Sequence, residues 1–144
     1  MAADNPSIAI RPASPDDMPF ITEHLEKFLL DDEDVDFHQF VVAVEGDAIV
    51  GFGRIRPHRE VYELGGVGVV EERRNEGIGK MIIRHLIDIF PSDDVYITTD
   101  IPGYFEKLGF RRVEHAPLDL IEKIKRVCEK KCRNGAVVMR YRRG

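Results

Sequence analysis

The stretch from Val61 to Lys80 constrains this chain more than any other. A strand-like run rich in glycine (Gly65, Gly66, Gly68) leads straight into a helix that opens on Gly77-Ile78-Gly79. Glycine weakens a strand, so three of them within Val61–Val70 point to a bulge or to a close approach of another part of the chain. From about Gly77 to Phe90, Ile78, Ile82, Leu86 and Ile89 recur at helical spacing and form one apolar stripe. Strand and helix each have a face to cover, which calls for a sheet with a helix against it. The turn between them also carries chemistry. The first N–H groups of a helix have no intrahelical acceptor and sit at the positive end of its dipole, so glycines at 77 and 79 open them to an anion such as a phosphate or pyrophosphate. Arg73, Arg74 and Lys80 add charge. Two other glycine motifs are excluded: a P-loop needs glycine at 74 and Ser or Thr at 81, where Arg74 and Met81 stand, and a dinucleotide fingerprint needs glycine at 82, where Ile82 stands.

The rest of the chain supplies the sheet. Ser7–Arg11 reads as a strand. Ser14-Pro15-Asp16-Asp17 starts a helix, with Ser14 as cap, Pro15 in the first helical position and Asp17 as the acid at the third. Met18, Ile21, Leu25, Phe28 and Leu29 give it one apolar face. Asp31–Asp36, five acids around Val35, reads as a solvated loop. Phe40–Val44 and Ile49–Ile55 are strands joined by a hairpin turn at Glu45-Gly46-Asp47. After the central helix come a strand at Val95–Thr99, a short helix at Gly103–Leu108 ended by Gly109, and a strand at Phe110–Val113. Leu120, Ile121, Ile124, Val127 and Cys128 mark an amphipathic helix, and Gly135–Tyr141 is the last strand. The order βαβββαβαβαβ predicts an α+β domain on a mixed central sheet flanked by helices. With 144 residues and no linker or repeat, a single domain over 1–144 is expected.

Composition narrows the function classes. A net charge of −5 argues against nucleic acid as a partner. No apolar run approaches the roughly 18–20 residues of a membrane span, and the N-terminal residues lack a signal-like pattern, so a cytoplasmic location is expected. Cys128 and Cys132 are too few for a disulfide framework or a zinc site, so no metal is expected. The charge is uneven: residues 1–36 hold ten acids and two bases, while residues 37–144 hold sixteen acids and nineteen bases. The basic end Arg140-Tyr141-Arg142-Arg143 reads as a solvated tail, with neutralisation of a phosphate as the alternative.

Arg74-Asn75-Glu76-Gly77-Ile78-Gly79 fits the pattern Q/R-x-x-G-x-G/A, and Tyr104-Phe105-Glu106-Lys107-Leu108-Gly109-Phe110 looks like a late F-Y-E-K-L-G-F segment. In both, and in the order of its elements over residues 8–115, the chain resembles the GNAT superfamily of acyl-CoA N-acyltransferases. The resemblance implies acetyl-CoA as co-substrate, its pyrophosphate on the backbone of Arg74, Asn75, Glu76, Gly77, Ile78, Gly79 and Lys80, and its pantetheine arm paired with Val67, Gly68 and Val69. It implies transfer of the acetyl group to a primary amine by direct attack, which needs a base for the ammonium and an acid for the thiolate. Glu63, eleven residues before Arg74 and on the face of Gly65, stands where the family often carries a glutamate base; a surface glutamate at a strand start is the alternative. Where the family has its acid tyrosine this chain has Phe105, placed with the cofactor-binding residues, so the acid is Tyr104, water or no side chain at all.

The acceptor stays open at this point. Thr98–Gly103 running into Phe105–Phe110 is similar to the small N-acetylglutamate synthase-type branch, which implies glutamate or another amino acid. Arg54, Arg56 and Arg59 suit an acidic acceptor. The acids at 31–36 suit a cationic amine, a lysine side chain or a protein N-terminus. A non-catalytic module that binds acyl-CoA is the third reading, and a homodimer, common in this fold, is left open.

Overall fold

The computed structural model describes residues 7–128 and 135–143, so Cys132 lies outside the described residues. The strands are β1 (Ala9–Pro12), β2 (Phe40–Glu45), β3 (Ala48–Pro57), β4 (Tyr62–Val69), β5 (Asp94–Thr99), β6 (Arg111–Arg112) and β7 (Val137–Arg142). The helices are α1 (Met18–Lys27), α2 (Ile78–Ile89), α3 (Pro102–Lys107) and α4 (Leu118–Lys123), the last continued by a π-helical turn over Ile124–Cys128. The strands form one sheet in the order β1-β2-β3-β4-β5-β7-β6. Antiparallel pairs lie at both ends of that order, and β4 pairs with β5 in parallel at Glu63 and Tyr96. This is the mixed sheet flanked by helices that the sequence predicts. The chain forms two compact units, Met1–Ile55 with Gly66–Ile89 and Arg56–Gly65 with Phe90–Gly144.

In the first unit, a two-residue turn at Gly46-Asp47 joins β2 to β3, and Gly46 has φ 61°, a left-handed value that glycine adopts without steric cost. The Asp17 carboxylate accepts from the Ser14 N–H at 2.8 Å and from Arg11 Nη1 at 2.8 Å, fixing the entry to α1 through a 3₁₀ turn at Pro15–Asp17. Ile21 and Leu25 of α1 are fully buried among Ala13, Phe40, Val42 and Phe52. Leu29 does not extend that face: α1 ends at Lys27, and Leu29 is exposed in a left-handed conformation with φ 57°. Ile89 is exposed as well, while Ile83 is buried and joins Ile78, Ile82 and Leu86 in the core. Glycines set how closely α2 lies on the sheet. A Cβ on Gly51 would sit 2.9 Å from Ile82 Cδ1, and one on Gly53 would sit 2.8 Å from Ile82 Cγ2. The glycine signal in β4 has the same origin: a Cβ on Gly68 would meet Phe52 Cζ at 2.6 Å, and Gly66 turns left-handed at φ 58°.

The acid-rich segment corrects its sequence reading. Arg54 of β3 is 1% exposed. Its Nη1 donates to the Glu33 carbonyl (3.0 Å) and to Gln39 Oε1 (2.7 Å), and its Nη2 to the Asp31 carbonyl (3.1 Å). The same Nη2 lies 3.1 Å from the buried carboxylate of Asp31, and Val35 packs against the core. One buried cation thus holds the segment to the sheet, so it is not a freely solvated loop.

In the second unit, Leu64, Val95, Ile97, Phe110, Leu120 and Met139 are buried. β7 lies between β5 and β6, with Val95 opposite Tyr141 and Arg111 opposite Arg140. Gly109, at φ 98°, ends α3 where a side chain would press on the Tyr141 ring. The basic end is not a solvated tail. Arg142 Nε donates to Asp94 Oδ1 at 2.6 Å, the Arg143 N–H donates to the Asp93 carbonyl at 2.8 Å, and the Arg143 guanidinium donates to the Phe90 carbonyl. In α4, Leu120 is buried but Ile121 is exposed.

Candidate active site

The turn before α2 is built by backbone geometry. The Val70 N–H donates to the Val50 carbonyl at 3.0 Å as β4 ends, and a 3₁₀ turn follows over Glu71–Arg73. Asn75 (φ 67°) and Gly77 (φ 84°) are both left-handed, a conformation that Asn and Gly tolerate best. Helix α2 then starts at Ile78, whose side chain is buried and anchors the first turn. The Met81 N–H donates to the Gly77 carbonyl at 3.0 Å. The N–H groups of Ile78, Gly79 and Lys80 therefore precede the first helical hydrogen bond and face the start of the helix. Arg74, Asn75, Glu76, Gly77 and Lys80 are exposed.

The cations of the turn divide. Arg73 Nε donates to both Glu76 oxygens at 3.1 Å and its Nη1 to Glu45 Oε1 at 2.8 Å; these hydrogen bonds raise its pKa above the usual arginine value. Arg74 lies over the Phe28 ring at 4.7 Å and donates to the Val69 carbonyl at 3.1 Å. The charge grouped at this turn in the sequence is thus partly spent on internal pairs, leaving Arg74 and Lys80 as the cations of the turn that no carboxylate among the described residues holds. Val67, Gly68 and Val69 precede the turn on the same strand, Gly68 against Phe52 and Val67 alongside Gly53.

Glu63 and Tyr104 belong to the second unit and have separate surroundings. Glu63 is 2% exposed. Its Oε2 accepts from Lys123 Nζ at 2.8 Å, and its Oε1 lies 2.8 Å from His58 Nε2. Burial pushes this carboxyl up, but the Lys123 charge and the hydrogen bonds from His58 and Lys123 outweigh it and hold the group at about 2. A Cβ on Gly65 would sit 3.9 Å from Glu63 Oε2, so the two residues share a face, as alternation predicts. Lys123 and His58 were not legible from the sequence. Lys123 lies 60 residues along the chain, and no spacing rule connects a loop histidine to a strand carboxylate.

Tyr104 is half-exposed on α3, and burial raises its pKa, which keeps the phenol protonated. Its ring meets Phe105 edge-on at 5.1 Å, and Phe105 meets Phe110 the same way at 5.5 Å. Of the three arginines suited to an acidic acceptor, Arg54 is committed to the 31–39 segment, Arg56 is buried and Arg59 is exposed. Among the described residues, no group of three or more His, Cys, Asp or Glu side chains is placed to hold a metal ion. No helix among them is long and apolar enough to cross a membrane.

The family described as Acetyltransferase (GNAT) matches residues 8–110. No curated protein matches the chain. Among solved structures, N-acetylglutamate synthase from Neisseria gonorrhoeae, complexed with coenzyme A and N-acetyl-glutamate, is similar at TM-score 0.78 and 16% identity over 99% of this chain and 36% of that one. Rv2747 from Mycobacterium tuberculosis, in complex with CoA and NLQ, is similar at TM-score 0.73 and 20% identity over 93% of this chain and 98% of that one. The ribosomal-protein-S18-alanine N-acetyltransferase from Escherichia coli is similar at TM-score 0.62 and 14% identity over 94% and 93%. The chain spans about a third of the length of the first two structures it matches, both of the Neisseria synthase.

Proposed function

Because this chain belongs to the acetyltransferase (GNAT) family, we propose that it moves the acetyl group of acetyl-CoA to a primary amine of a small molecule or amino acid by direct attack. The observation that carries the reading is the start of α2: three N–H groups without intrahelical acceptors, reached through left-handed Asn75 and Gly77, at the end of a glycine-rich strand. The backbone of Arg74–Lys80 would hold the pyrophosphate, with Lys80 and Arg74 as counter-charges. Val67–Val69 would align the pantetheine arm, and Phe105 would line the cofactor side. Residues 1–144 are read as one cytoplasmic acetyltransferase domain that needs no metal.

The proton steps fall to the groups around Glu63 and to Tyr104. The tyrosine hydroxyl, held protonated, suits a donor to the departing thiolate. Two observations favour an amino-acid acceptor over a cationic amine. The carboxylate of Asp31, part of the acidic segment that would attract a cation, is already paired with Arg54. Structures of similar fold include one holding N-acetyl-glutamate. The second reading, a module that binds acyl-CoA without turnover, is favoured by Phe105 in the tyrosine position and by the enclosed state of Glu63.

The deciding experiment follows thiol release from acetyl-CoA with L-glutamate, other amino acids, spermidine, an aminoglycoside and a lysine peptide. Turnover with an amino acid is expected. Preference for a cationic amine or peptide overturns the acceptor assignment, and CoA binding with no turnover on any acceptor moves the protein to the second reading.

A further inference from the structure

The geometry points to His58 as the group that takes the proton from the acceptor amine, with Glu63 as its positioning carboxylate and Lys123 as the cation that fixes Glu63. This deepens the acetyltransferase reading and rests on it.

Glu63 is poorly suited to fill the role directly. Both of its oxygens are engaged, one by Lys123 Nζ and one by His58 Nε2. Held ionised down to about pH 2, it is also a weak proton acceptor at neutral pH. Imidazole is the side chain that exchanges protons near neutrality. Because an ionised carboxylate only accepts hydrogen bonds, His58 Nε2 must carry the hydrogen it shares with Glu63. That leaves the lone pair on Nδ1, which has no hydrogen bond among the described residues.

The His58 side chain is 6% exposed, and the loop that carries it is fixed at two points. The His58 N–H donates to the Val61 carbonyl at 2.8 Å, closing the loop between β3 and β4. The Glu60 N–H donates to Asp119 Oδ2 at 2.6 Å, tying that loop to the first turn of α4. The ring meets Glu63 of β4 directly, and Lys123 of α4 meets the other oxygen of Glu63; Asp119 of α4 accepts from Glu60 of the same loop, and buried Arg56 and exposed Arg59 lie near His58 in the chain. A carboxylate behind an imidazole fixes its tautomer and steadies the positive charge the ring gains, and Lys123 in turn keeps that carboxylate ionised. Glu63 lies on the strand that continues into Val67–Val69.

In the step, one proton of the acceptor ammonium passes to His58 Nδ1. The freed nitrogen pair forms the C–N bond to the acetyl carbon, and the C–S bond breaks with its electrons going to sulfur. The thiolate takes the Tyr104 hydroxyl proton, the second nitrogen proton restores that hydroxyl, and His58 returns its proton to water.

The test compares kcat against pH for the full chain and its variants, using the amine selected by the acceptor panel. His58→Gln is expected to lower kcat by about 10²–10³, to remove the acidic limb of the profile and to leave acetyl-CoA affinity within about twofold. His58→Ala is expected to regain rate with added imidazole in a saturable manner, which a structural role would not produce. Two milder variants should move the limb in opposite directions. Glu63→Gln removes the anion that favours a protonated ring, so the limb moves to lower pH; Lys123→Met removes the opposing cation, so it moves to higher pH.

An unchanged acidic limb in His58→Gln overturns the proposal and leaves the acetyltransferase reading standing. So does a limb lost in Glu63→Gln but kept in His58→Gln, which would make Glu63 itself the base. If neither His58 variant folds, limb shifts in Glu63→Gln and Lys123→Met that are absent or of the same sign overturn it instead. A wild-type chain without turnover on any acceptor sinks both readings together.

Discussion

Two regions of this molecule handle charge in opposite ways. At the turn before α2, the ionised side chains sit in water and the working groups are backbone amides fixed by φ angles. At Arg54 and at Glu63, the side chains themselves are buried, and each is held by partners brought from elsewhere in the chain. The first arrangement costs little to mutate at any one charge but depends on backbone shape. The second tolerates shape changes poorly and tolerates loss of a partner worse, because a lone buried charge has no solvent to stabilise it.

Arg54→Met should give the largest effect. It removes a buried cation from beside the Asp31 carboxylate and takes the donors from two carbonyls, so a loss of about 3–5 kcal/mol is expected from urea unfolding. A loss below about 1 kcal/mol would mean that the segment holds itself. Next comes acid sensitivity at Glu63. Its carboxyl lies at about 2 in the folded chain against an ordinary 4.5, so its contribution is complete above about pH 4.5 and is lost as pH falls toward 2. That difference corresponds to about 3 kcal/mol, and Glu63→Gln should flatten this part of the stability–pH curve. If the mutant and wild-type curves stay parallel, the buried cluster does not govern acid unfolding.

The turn should respond in binding more than in stability. Gly77→Val forces a branched residue into φ 84°, at about 1–2 kcal/mol in folding, and should weaken CoA binding about tenfold or more by titration calorimetry. Binding that stays intact would show that the helix start is not where the pyrophosphate sits. The smallest effect is expected from Arg73→Ala. Its carboxylate partners are on the surface, so the urea midpoint should not move measurably and CoA affinity should stay within about twofold. A large drop in affinity would place Arg73 on the ligand after all.

The contrast also explains what could be read from the sequence. The turn is local: Gly77, Gly79 and the stripe behind them lie within a few residues, and their spacing alone carries the strand–turn–helix unit. Alternation places Glu63 with Gly65, and the structure agrees. Local pattern does not say that β7 slots between β5 and β6, or that Lys123 closes on Glu63. The acidic segment shows the failure most clearly. Five acids within six residues look like chain that cannot pack, and composition gives no sign that the decisive bonds go to its carbonyls from a residue on β3.

Arg54 also fixes a length. Its guanidinium reads the carbonyls of Asp31 and Glu33 and the amide oxygen of Gln39 at once, and Gln39 Nε2 donates back to the Asp34 carbonyl at 2.9 Å. Surface connections ordinarily accept an added or deleted residue at small cost. Here, one residue more or fewer between 31 and 39 would carry a carbonyl or the glutamine amide out of reach. Apart from Asp31, whose buried carboxylate pairs with Arg54, the acids can drift in identity, but the number of residues is set, so in proteins that share this arginine the segment should vary in sequence and hardly at all in length.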